Sequence, residues 1–121
     1  MKVSLIQMNS VSDKAANLVE AARLIERAVE QERPDWVSLP ECFDFLGAGR
    51  REKFAAAETL PGGPAYSLMQ GLARRHRIFI HAGSILEKVG GQERIHNTTV
   101  VFNREGREIA RSRNTHRFDT P

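Results

Sequence analysis

Glu41 and Cys42 stand side by side directly after Pro40, a carboxylate that can take a proton next to the one thiol in 121 residues. Pro40 closes the apolar run Asp35-Trp36-Val37-Ser38-Leu39, which reads as a strand, so Glu41 falls just beyond a carboxyl end. In open α/β sheets that edge is where ligands usually bind. Taken alone, Glu41 reads as a solvated strand-end carboxylate in preference to an acid–base group. Cys42 reads as a small buried hydrophobe, because successive side chains leaving a strand point to opposite sides and would part it from Glu41. The four histidines, His76, His81, His96 and His116, show no metal-ligand spacing, and one cysteine makes a zinc site improbable. His81 and His96, on or near strands, read as core histidines. Pro61-Gly62-Gly63-Pro64 is a turn and not a phosphate loop, since no Gly-Lys-Ser/Thr follows. No dinucleotide fingerprint occurs, and no metal or cofactor is expected. Arg111, Arg113, His116 and Arg117 could grip phosphates, but Phe118 is their only nearby aromatic, which makes a poor stacking platform.

These residues need a scaffold, and periodicity supplies one. Val3–Met8 is short and almost wholly apolar, as a strand covered on both faces would be. Ser12 or Asp13 can cap the next helix, in which Leu18, Ala21, Ala22, Leu24, Ile25, Ala28 and Val29 share a face. Pro34 ends that helix, and Asp35–Leu39 follows as a strand. Strand, helix, strand with tight links is a parallel crossover. Arg50–Glu58 is a short helical candidate after the glycine-bearing loop around Gly47 and Gly49. Pro64 suits the first turn of a helix running to about His76. Ile78–Gly83 is a third strand, Gly90-Gly91 signals a hairpin, and Asn97–Asn103 is a fourth strand. Arg104-Glu105-Gly106-Arg107 turns the chain into a short fifth strand, Glu108–Ser112. On the fourth strand Val100 and Phe102 share one side and Val101 takes the other, so both sides are apolar and a second layer is implied.

Composition sets the outer limits. The chain is 40% apolar and 27% charged with net charge +3, ordinary for one globular domain. No apolar run approaches the roughly 20 residues that cross a bilayer, and Met1–Met8 is too short for a secretory signal. A cytoplasmic location and no membrane partner are the expectations. The basic patches Arg74-Arg75-His76-Arg77 and Arg111-Ser112-Arg113 read as solvated faces, and a nucleic-acid partner is disfavoured.

Four segments, in order, carry a family resemblance. Leu39-Pro40-Glu41-Cys42-Phe43 resembles the first catalytic motif of the nitrilase superfamily of carbon–nitrogen hydrolases. Ala82-Gly83-Ser84-Ile85 and His96-Asn97-Thr98-Thr99-Val100-Val101-Phe102 resemble its next two sheet segments. Gly106–Arg111 then leads into Arg113-Asn114-Thr115-His116-Arg117-Phe118-Asp119, which is similar to the family's lysine motif, Y-R-K-x-H-x-F-D. The resemblance covers nearly the whole chain.

What it implies is an α/β fold, half of an α-β-β-α sandwich, with a mixed sheet and helices on one face. Residues 1–121 would be a partial hydrolase domain lacking its C-terminal half. The family's site holds a glutamate base, a lysine that stabilises the tetrahedral anion, and a cysteine nucleophile. Glu41 matches the base. Asn114 occupies the lysine position, between Arg113 and Thr115, and Ser112 stands where the family has tyrosine. The nucleophile and a second supporting glutamate lie beyond residue 121 in the family. His116 and Asp119 would anchor the loop that displays the lysine. The expected substrate is a small amide, or a nitrile, if the missing half completes the site, with the isolated chain inactive. The amidase-like branch is preferred because a glycine-containing loop follows Pro-Glu-Cys-Phe. Self-association, or pairing with a related subunit, is the remaining expectation.

Overall fold

The computed structural model describes residues 1–47, 49–89 and 94–114. Five strands form one sheet in the order β1 (Val3–Leu5), β2 (Trp36–Ser38), β3 (Phe79–Lys88), β4 (Ile95–Phe102), β5 (Glu108–Asn114). β1, β2 and β3 are parallel, and β4 and β5 return antiparallel. The two parallel steps are crossovers, through α1 (Lys14–Glu32) and through α2 (Arg50–Ala56) with α3 (Pro64–His76).

Local chemistry sets the helix ends. Asp13 caps α1, its carboxylate accepting from the Ala16 N–H at 3.1 Å, which satisfies one of the free donors of a first turn. At the other end Arg33 adopts a left-handed φ of 46° and gives its N–H to the Val29 carbonyl, immediately before Pro34. Gly63, with φ 92°, precedes α3 and has no side chain to cap with. Glu58 takes that task from outside: its carboxylate accepts from the N–H groups of Ala65 (2.6 Å) and Tyr66 (3.1 Å), where negative charge also meets the positive end of the helix. A Cβ on Gly63 would collide with that carboxylate.

α1 and α3 pack on the same face of the sheet. Ala21 and Ile25 of α1, with Ala65, Met69, Leu72 and Ala73 of α3, meet Val37, Ile80, Ala82, Val100 and Phe102 in one buried cluster. Tyr66 stacks edge-on against Phe102 at 4.9 Å. Burying aliphatic and aromatic side chains of this size is worth about 1.5–3 kcal/mol each, so this face holds the sheet and helices together. A smaller cluster of Phe45, Ala57 and Leu86 lies at the far end of β3.

On the opposite face Leu86 is covered by Phe45 and Ala57, and no helix pair like α1 and α3 lies over the strands among the described residues. Across this face run two registered rows, Val3–Trp36–Phe79 and Leu5–Ser38–His81–Val101–Ala110. Trp36 stacks on Phe79 at 5.6 Å. Val3 is 51% exposed and Leu5 80%, which corrects the expectation that the first strand is covered on both faces. β1 is an edge strand, and only its Ser4/Ile6 side turns toward the core. Two strands outrun their expected ends. β3 continues to Lys88 past an irregularity at Gly83-Ser84, and β5 reaches Asn114. The hairpin signal at Gly90-Gly91, and His116 and Asp119, fall outside the described residues.

Candidate functional site

Three chain segments meet at the carboxyl end of β2. The first is the turn after it, residues 39–44, which leans on β3. The Leu39 N–H donates to the His81 carbonyl, the Ser84 N–H to the Pro40 carbonyl, and the Cys42 N–H to the Ser84 hydroxyl at 2.9 Å. Close approach is possible because residue 83 has no side chain; a Cβ there would drive into the Leu39 carbonyl oxygen. The Ala82-Gly83-Ser84 segment thus seats the Glu41 turn against the sheet.

The other two segments are the ends of β4 and β5. Asn97 and Asn114 are direct cross-strand partners, so their side chains leave the sheet on the same side. That side is the one opposite α1 and α3. The Asn114 amide nitrogen lies 3.5 Å from Glu41 Oε1, and Cys42 Sγ lies 3.8 Å from Asn97 Oδ1. Residues 41 and 114, far apart in sequence and singled out separately, are brought together.

Cys42 departs from its expected geometry. Its φ of 56° is left-handed, so the backbone turns instead of continuing as a strand, and the side chains of Glu41 and Cys42 reach neighbouring asparagines. Alternation applies to extended backbone only. The thiol is half-buried. Burial pushes its pKa up, and the charges of Glu41 and Asp44 add to this against the Ser84 contact. A raised thiol pKa lowers the share of thiolate, the nucleophilic form.

Below the turn, Asp44 is fully buried. Its carboxylate accepts from the Leu86 N–H at 3.2 Å and lies 3.6 Å from Lys14 Nζ, while Oδ1 has no partner among the described residues. Burial drives its pKa up to about 6, against the pull of Lys14. Lys14 makes its tighter contact with Glu58, at 2.6 Å. Asn17, buried in α1, donates to the carbonyls of Val11 and Asp44 and accepts from the Val11 N–H. Glu41 is therefore exposed on a turn whose underside is tied down.

β5 is held from the helix side. Glu87, 2% exposed, accepts from Arg113 Nε (2.7 Å) and Nη2 (2.9 Å) and from the Thr98 hydroxyl (2.7 Å). Burial works to raise the Glu87 pKa, but the hydrogen bonds of Arg113 and Thr98 outweigh it and hold the carboxyl below its usual range. Glu108 pairs with Arg111 and accepts from the Tyr66 hydroxyl. Burial, and then Glu108, push that phenol up to about 12. Sequence reasoning missed Glu87, which lies past the expected end of the third strand at Gly83 and on the observed β3.

His81 and His96 remain apart from this constellation. Both are half-buried. His81 stacks on Trp36 at 6.3 Å, and its buried Nδ1 has no hydrogen-bond partner among the described residues, so it is not the satisfied core histidine expected. No group of three or more potential metal ligands occurs among the described residues, and no described helix is long and apolar enough to cross a membrane. A hollow of about 430 Å³ lies elsewhere, lined by Ser12, Phe45, Glu52, Ala55 and Ala56.

Comparison with known proteins agrees with the fold. The family model described as carbon–nitrogen hydrolase matches residues 2–121. An omega-amidase of Saccharomyces cerevisiae is 36% identical over 124 residues, covering 98% of this chain and 42% of its own length. A nitrilase and fragile histidine triad fusion protein of Drosophila melanogaster is 35% identical over 117 residues, 97% of this chain and 25% of that protein. The crystal structure of Saccharomyces cerevisiae Nit3, a member of branch 10 of the nitrilase superfamily, superposes with a TM-score of 0.84 at 33% identity, over 96% of this chain and 44% of that one. The chain spans less than half the length of each of these relatives.

Proposed function

Because the chain belongs to the carbon–nitrogen hydrolase family, we propose that it supplies the general-base side of an amide-hydrolysing site, with Glu41 as the base. The observation that carries this reading is the 3.5 Å approach of Asn114 to Glu41 across the sheet. The residue in the family's base position and the residue in its lysine position face one another at a strand-end edge suited to ligands. Similarity to an omega-amidase favours a linear amide over a nitrile.

In this reading Glu41 takes the proton of a cysteine thiol contributed by the part of the family's length that residues 1–121 do not span. The sulfur bonds to the amide carbon. As the carbon–nitrogen bond breaks, Glu41 passes the proton to the departing nitrogen, which leaves as ammonia. Water then attacks the thioester, Glu41 accepts its proton, and the carboxylic acid and thiol are released. Asn114 can donate a hydrogen bond to the tetrahedral oxyanion but brings no positive charge, and so stabilises it less than an ammonium would.

That departure favours a second reading, a chain that works by association and does not turn over substrate. One experiment separates the two. Residues 1–121 alone should release no ammonia from a panel of linear amides. Joined to the remaining length of the yeast omega-amidase, they should gain activity, strengthened by Asn114→Lys and abolished by Glu41→Gln. A chimera that carries Asn114→Lys, folds and stays inactive would leave the associating role. Turnover by residues 1–121 that depends on Cys42 would overturn the assignment of that thiol as structural.

A further inference from the structure

β5 is a strand with little reason of its own to stay in place. Its seven residues, Glu-Ile-Ala-Arg-Ser-Arg-Asn, are all exposed or half-buried, and it lies at the edge of the sheet. Strands whose faces bury no apolar set are weakly held in register. At the β4–β5 turn, pairing is set by Asn103, whose backbone N–H donates to the Arg107 carbonyl and whose side chain accepts from the N–H groups of Glu105 and Arg107. That influence is interrupted by the irregularity between Val101 and Phe102. The far end, Ser112–Asn114, needs its own fastening.

Glu87 is placed to provide it. The carboxylate stands on β3, reaches across β4 past Thr98, and takes the Arg113 guanidinium in a two-pronged grip. Thr98 and Arg113 are cross-strand partners, so one buried carboxylate clamps three strands. Asn114 is the next residue and turns to the other face, toward Glu41.

We propose that the Glu87–Arg113 pair is a positioning device, acting through β5 to hold the residue at position 114 against Glu41. Its relevance to catalysis rests on the proposed amidase reading; its geometry does not. A two-residue slip, which keeps every side chain on its face, would carry Asn114 about 6.5 Å along the strand and out of reach of Glu41. Fraying of the strand end would have the same result. A guanidinium fork resists both because its two parallel bonds fix orientation as well as distance.

The test is nuclear magnetic resonance on residues 1–121 with Arg113→Gln, Arg113→Lys and Glu87→Gln. The readouts are the cross-peak between the Asn114 side-chain amide and the Glu41 γ-protons, and amide exchange at Ser112 and Asn114. The expected result is loss of the cross-peak and at least ten-fold faster exchange in Arg113→Gln and Glu87→Gln, while core methyl signals of Ile25 and Ile80 stay in place. Arg113→Lys, which keeps charge without the fork, should fall between, and decides the matter if the other variants do not fold. Ile25→Val, a core change remote from β5, should lower the melting temperature and leave the cross-peak intact, which separates positioning from general stabilisation. A cross-peak that survives in folded Arg113→Gln or Arg113→Lys at wild-type strength overturns the proposal. Neither readout depends on turnover, so failure of the amidase reading leaves this result standing.

Discussion

At the scale of single residues, the sharpest consequence belongs to Asp44. Its pKa is raised to about 6 in the folded chain, from an ordinary value of 3.8. Between those values the folded state binds more protons than the unfolded state, so its stabilising share is complete below about pH 4 and is lost as pH rises through about 6. The side chain is fully buried, and roughly two pKa units correspond to about 3 kcal/mol. Glu87 and Glu108, whose pKa values are depressed, act in the opposite sense, with stability present at neutral pH and lost on acidification. Comparison with Asp44→Asn cancels those contributions. Urea unfolding of both proteins at pH 4 and pH 7 should show the variant gaining on the wild type by up to about 3 kcal/mol at the higher pH. A gap that does not change with pH would mean that Lys14 fully compensates the buried charge.

At the scale of elements, two glycines make opposite demands. Gly83 lets the Glu41 turn lie on β3, and a methyl group there would meet the Leu39 carbonyl; Gly83→Ala should cost about 1–3 kcal/mol and break the Cys42–Ser84 hydrogen bond. Gly71, in the middle of α3, has nothing within 4 Å of an added Cβ, so Gly71→Ala should stabilise by about 0.5–1 kcal/mol. Thermal melts of both variants check the pair, and a stabilised Gly83→Ala would show that the turn has room to move. The same contrast explains what was legible in the sequence. The crossover, α3 and the strand positions follow from periodicity and from Pro and Gly punctuation, which act locally. The bulge at Gly83-Ser84 and the left-handed Cys42 arise from one segment pressing on another, and nothing in either stretch alone announces them. The exposed strand-end place of Glu41 could be read from Pro40 and the apolar run before it. The place of Glu87 could not, because its value depends on a register that pairs Thr98 with Arg113.

At the scale of the whole molecule, the uneven burial of the sheet has a physical consequence. One face is sealed by α1 and α3, and the other presents Val3, Leu5, Trp36 and Phe79 in registered rows. Leu5 is 80% exposed, and contiguous apolar patches beyond a few hundred Å² are rare on soluble monomers. The rows are already ordered by the sheet beneath them, so little conformational entropy opposes their burial. Residues 1–121 should therefore associate, with themselves or with a related subunit, through this face. Leu5→Arg tests the idea without touching the core, because the side chain leaves the side opposite α1 and α3 and neither caps nor packs on a helix. Burying one leucine is worth about 1.5–3 kcal/mol, and about 1.4 kcal/mol is ten-fold in an equilibrium constant. The variant should then weaken association at least ten-fold in sedimentation velocity across a wide concentration range, with its unfolding midpoint little changed. Wild-type protein that sediments as one monomeric species at high concentration and does not bind a hydrophobic dye would refute association through this face. Association that Leu5→Arg leaves intact would move it to another surface.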